Sequence, residues 1–176
     1  MKKILCVTTL VAAMGLGLSA SALADDGIVR FEGQLVSEAC QVINNVNNPA
    51  QVDLGKVAKT AFPALGATAG AKKFTLALKD CPPTVSTATV AFSGTAANAD
   101  NTALALTQEA GVATGVGIQI SDASQSVLSL GAPSAAYPLL PSVVNNLDFV
   151  ARYISTADNV TAGPANSVAT FDISYQ

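Results

Sequence analysis

Residues 25–42 read DDGIVRFEGQLVSEACQV. From Val29 the side chains alternate, so an extended strand here would put Val29, Phe31, Gly33 and Leu35 on one face and Arg30, Glu32, Gln34 and Val36 on the other. The apolar face has to be covered. If the stretch joins a sheet of its own chain, the fold is a complete sandwich. If it joins the sheet of another molecule, the fold is incomplete without a neighbour.

The preceding residues 1–24, MKKILCVTTLVAAMGLGLSASALA, combine two lysines, an apolar run and the small-residue ending Ala22-Leu23-Ala24. That is the layout of a secretory signal peptide cleaved between Ala24 and Asp25. Its apolar run falls short of the roughly 20 residues that a bilayer-spanning helix needs. Cleavage would remove Cys6, Lys2 and Lys3, leaving 152 residues and moving the formal charge from −3 to −5. A chain of that size makes one domain. With so few cations it has no patch able to displace counterions from phosphates, which excludes nucleic acid as a partner.

The exported chain keeps two cysteines, Cys40 and Cys81. An even pair in an oxidising compartment reads as a disulfide, the alternative being two separately buried thiols. A metal site is the weaker reading, because the chain has no histidine and two cysteines do not complete a tetrahedral set.

Period-two segments recur along the rest of the chain, separated by Gly, Asn, Pro and Ser. They predict strands at 29–36, 39–46, 51–57, 73–80, 87–93, 103–107, 116–121, 148–155 and 169–175. Short strands at this spacing indicate an all-β sandwich in one domain, with the disulfide tying an early strand to the end of a later one.

Chemistry is mostly absent. Without histidine there is no Ser-His-Asp or Cys-His arrangement, and a bridged cysteine is no nucleophile. Asp53, Asp80, Asp122, Asp148 and Asp172 fall at turns or on the polar side of alternating strands, which reads as solvated surface charge. The glycine-rich run GVATGVGIQI (111–120) has no following Gly-Lys-Ser/Thr and opens no helix, so it reads as entry into a strand. No enzyme activity, cofactor or metal is expected. At the C-terminus, ATFDISYQ (169–176) sets Ala169, Phe171, Ile173 and Tyr175 on one face, a second apolar strand flanking the domain.

Taken in order, GIVRFEGQLVSEACQV (27–42), VDLGKV (52–57), LKDC (78–81), GVGIQISD (115–122), ARYIST (151–156) and ATFDISYQ (169–176) resemble subunits of chaperone-usher fimbriae, in particular the type 1-like major pilin. The resemblance spans essentially the whole chain. It implies an incomplete immunoglobulin-like β-sandwich, the pilin fold, completed by a donated strand. The implied donor is the N-terminal extension 25–36 of the next subunit, with Val29, Phe31, Gly33 and Leu35 as its inward face, and the pilin domain is 37–176. Cys40 and Cys81 match the family's disulfide. Phe171, Ile173, Tyr175 and Gln176 match the groove and chaperone-contact end. Implied partners are neighbouring pilin subunits, a periplasmic pilus chaperone and an outer-membrane usher, and the implied location is a fimbrium at the cell surface. The loops CPPT (81–84) and GAPSAAYPLLPS (131–142) carry more proline than that pattern. A minor or adaptor pilin would share this plan, whereas a monomeric periplasmic binding module would need a polar constellation that the sequence lacks.

Overall fold

The computed structural model describes residues 29–33 and 39–176. The expected signal peptide 1–24 and its expected Ala24–Asp25 cleavage point, with Gln34, Leu35 and Val36, lie outside them. Residues 29–33 carry no strand pairing, and all the paired strands lie within residues 39–176.

Seven strands are formed: β1 Gln41–Val42, β2 Thr68–Lys79, β3 Thr87–Ser93, β4 Val116–Asp122, β5 Tyr137–Pro138, β6 Asn145–Ser155 and β7 Thr170–Tyr175. One 3-10 turn, Lys59–Ala61, is the only helical element among the described residues. The strands make two antiparallel sheets, ordered β1-β2-β6-β4 and β5-β3-β7. Alternation sets the layers. Leu76 and Leu78 of β2 with Leu147 and Phe149 of β6 face Ala88, Val90 and Phe92 of β3 across one core. Phe149 is fully buried and meets Phe92 edge to face at 5.0 Å and Phe74 in a stack at 5.6 Å.

A disulfide joins Cys40, just before β1, to Cys81, just after β2. Both cysteines are buried, and Gln41 lies opposite Lys79 in the ladder. The bridge therefore closes the same end of the sheet that the strand register brings together.

β2 is longer than its alternation suggested because it crosses a bulge. The register with β6 shifts between Ala69 and Lys72, and Gly70 supplies the left-handed φ of +69° that such a kink requires. The glycine run before β4 has a packing cause: a Cβ at Gly117 would come within 2.8 Å of the Leu104 carbonyl oxygen. Three predicted strands are corrected. The strand expected at 39–46 forms only at Gln41–Val42, after which the chain turns. Residues 103–107 divide their backbone bonds among Thr95, Ala97, Ile118 and Asn166, so no continuous ladder forms. Residues 51–55 alternate in burial as a strand does, yet residues 51–57 make no backbone–backbone hydrogen bond with any described residue. The reading of 131–142 as pure loop missed β5, a two-residue edge pairing with β3 in which Pro138 occupies a position needing no donor.

Candidate functional site

The three-stranded sheet ends on β7, whose second edge is unpaired among the described residues. Gln176 and Thr87 exchange backbone hydrogen bonds in both directions, each 2.9 Å. Bonded and non-bonded pairs alternate in an antiparallel ladder. The opposed pairs Ser174/Thr89, Asp172/Ala91 and Thr170/Ser93 are thus the bonded ones. Phe171, Ile173 and Tyr175 then turn their N–H and C=O groups toward the open edge. The same phase shows on the other side of β3, where Val90 and Phe92 bond to Ser134 and Gly131. The side chains of Phe171, Ile173 and Tyr175 point inward but are only half-buried, whereas Val90, opposite Ile173, is 0% exposed. One layer of the core is uncovered along β7.

Beside this edge runs a groove of about 480 Å³. Its floor is made by Phe74, Leu76, Phe92, Leu104, Ile118 and Ile120, drawn from both sheets. One wall is Ser167, Ala169, Thr170 and Phe171, and the other is the 42–54 segment with Val42, Val52 and Leu54. Both walls carry backbone groups without partners among the described residues, and between them lies an apolar floor. That combination accepts one more extended strand: its backbone pairs with the wall at β7, and its alternate side chains fill the floor. An open edge of this kind is otherwise a site of uncontrolled pairing.

The sequence-predicted residues fall as follows. Phe171 lines the groove, and Ile173 and Tyr175 continue its apolar face along β7. Burial pushes the Tyr175 phenol above its ordinary pKa, so it remains neutral. Gln176 lies past the strand, its carbonyl accepting the Ser86 and Thr87 amides at 2.7 and 2.9 Å. Val29 and Phe31 are exposed, Phe31 to 93%. Gly33 is described without strand pairing, and Leu35 lies outside the described residues. Sequence reading missed the floor and the second wall. Its one available signal was the alternation of Ala50, Val52 and Leu54 in a stretch that no turn joins to a partner strand.

The carboxylates need one correction. Asp122 is 4% exposed, where solvated surface charge was expected. It ends β4 and caps the next turn, accepting from Ser124 Oγ at 2.7 Å and from the Ser124 and Ser126 amides at 2.9 Å each. The Ser124 hydroxyl chiefly, with the two amides, holds its carboxyl below the usual range against the opposing effect of burial. Asp148 is held low by Lys73, 2.8 Å away, and by the Thr75 hydroxyl at 2.6 Å. Among the described residues no group of three or more His, Cys, Asp or Glu side chains could hold a metal ion.

Because both folded-state pKa values lie below the unfolded carboxylate value of about 4, their stabilisation is complete above it. It is lost as pH falls through the folded values. Stability is expected to decline on acidification below about pH 4, and Asp148→Asn to flatten that decline. Urea midpoints measured across this range would show it; identical acid limbs in the two chains would refute it.

Residues 29–176 match the fimbrial protein family. A type 1 fimbrial subunit of Salmonella typhimurium is 41% identical over 154 residues, covering 85% of this chain and 83% of that protein. The probable major fimbrial subunit LpfA of Escherichia coli O157:H7 is 35% identical over 177 residues, covering 100% and 98%. In three dimensions the chain resembles the P pilus rod subunit PapA, with a TM-score of 0.65 at 21% identity over 79% of this chain and 100% of that one. The two sheets with their open edge are thus an immunoglobulin-like pilin sandwich. Sequence, fold and groove agree: the chain belongs to the fimbrial protein family and is a type 1-like structural subunit of a cell-surface fimbria.

Proposed function

We propose that this subunit builds the fimbrial shaft by donor-strand exchange. In this reading the signal peptide 1–24 directs export to the periplasm, residues 25–36 form the donor extension, and 37–176 form the acceptor domain. The observation that carries it is the apolar groove bounded by the unpaired edge of β7. A periplasmic chaperone fills that groove first. At the outer-membrane usher, the extension of the next subunit replaces it, with Val29, Phe31 and Leu35 reaching the floor and Gly33 passing where a side chain does not fit. The low charge and the richness in Ala, Gly, Thr and Asn favour an abundant shaft subunit over a minor or adaptor one.

Placing a charge at Ile173 tests the groove directly, because an incoming strand would have to bury an unpaired carboxylate. Ile173→Asp is expected to abolish co-purification with a pilus chaperone and to leave no subunit in sheared surface fibres. Undiminished capture by the chaperone would overturn the assignment of the groove.

A further inference from the structure

We propose that successive subunits also dock pole to pole, the apolar loop 139–144 of one copy seating against a second cleft at the far end of its neighbour. This rests on the donor-strand reading above and adds a surface that the reading does not use.

The domain has two distinct poles. One gathers the disulfide, the start of β6 and the end of β7: Leu78 lies opposite Asn145, the Asn145 amide reaches Cys81 Sγ at 3.5 Å, and Gln176 pairs with Thr87. The other gathers Val116, opposite Ser155, and Thr170, opposite Ser93.

At the disulfide pole, Leu140, Val143 and Val144 are 64, 48 and 55% exposed. They are held rigidly all the same. Buried Asn145 accepts the Leu140 amide at 2.8 Å and donates to the Leu140 and Val143 carbonyls at 2.9 and 3.2 Å. Exposed apolar residues on a pinned loop mark an interaction surface. At the far pole lies a cleft of about 340 Å³ whose lining mixes Val57, Phe62 and Val160 with Lys56, Lys59 and Asn166.

Chain length brings these surfaces together. Only five steps separate Leu35, inside a neighbour's groove, from Cys40 at the disulfide pole. At about 3.3–3.6 Å per residue that is at most about 18 Å. The disulfide pole must therefore lie against whichever pole of the neighbour the donor leaves. Were the donor parallel to β7, it would leave at the neighbour's disulfide pole, and each such pole would have to meet two others. Antiparallel to β7, the donor leaves at the far pole and each pole is used once, the head-to-tail contact that builds an open filament. Antiparallel pairing is also that of every neighbouring pair in both sheets.

Full-length chains carrying Val143→Cys and Lys59→Cys, assembled into fibres and treated with a short bis-maleimide, test the contact. The expected result is a ladder of covalent multimers after boiling in SDS, with monomer alone from either single variant. Val144→Cys with Lys56→Cys provides a second pair if the first fails to assemble. Boiled monomers from the double variants, alongside multimers that resist SDS without boiling, would overturn the docking and leave the donor strand intact. Dimers from Val143→Cys alone would overturn it too, by placing like poles together. Absence of SDS-resistant multimers from the unmodified chain would refute the donor-strand reading, and this inference with it.

Discussion

A chain that lacks its first copy of residues 25–36 and carries them instead after Gln176, through a short flexible linker, is expected to be a soluble monomer that needs no chaperone and forms no fibre. Val29, Phe31 and Leu35 would cover the groove floor, each contributing about 1.5–3 kcal/mol, and the open groups of Phe171, Ile173 and Tyr175 would gain backbone partners. Linkage makes the event intramolecular, so the groove is filled at any protein concentration. The linker can be short, because β7 ends where an antiparallel donor begins and a hairpin joins such strands. Gel filtration and thermal unfolding read the outcome. An insoluble product, or one that still polymerises, would sink the donor assignment of residues 25–36. Gly33→Leu in the grafted copy is expected to remove most of the gain while leaving the groove unaltered.

Loss of the disulfide is expected to be strongly destabilising for the acceptor domain. Cys40 and Cys81 are separated by 41 residues, and closing a loop of that length restricts the unfolded chain by about 4 kcal/mol on the chain-entropy estimate. A domain whose core lies open along one strand has little stability in reserve. Cys40→Ser should therefore sharply reduce the periplasmic level of the subunit and its appearance in fibres. Pulse-chase measurement of subunit lifetime would check it, and a normal level with normal fibres would show the bridge to be dispensable.

The strands whose alternation decided the reading, 87–93, 116–121, 148–155 and 169–175, form within a few residues of their expected bounds, because each turns apolar residues onto the main core, β4 alone being buried on both faces. Residues 51–57 show why alternation alone is insufficient. It reports which side chains face inward, while a strand also needs a neighbouring backbone, and here none of the described residues supplies one. β5 was hidden because Pro138 and a two-residue length leave no period to detect. Asp122 misled because burial of a carboxylate depends on the amides and hydroxyl that the following turn brings round to it. The disulfide was legible from cysteine count and compartment. The groove was not legible from periodicity, since its floor joins Phe74, Phe92 and Ile118, which are distant in sequence. Only the resemblance carried by the whole set of motifs pointed to it.

The edge of β7 runs from one pole to the other, and this orientation has a mechanical consequence. Tension along a filament of such subunits would pull a seated strand lengthwise, so every backbone bond to Phe171, Ile173 and Tyr175 would be loaded at once. Peeling, in which bonds fail one after another, would require a sideways force that a chain of end-to-end domains does not transmit. In a fibre joined by donor-strand exchange, the joint would thus be strongest along the fibre axis.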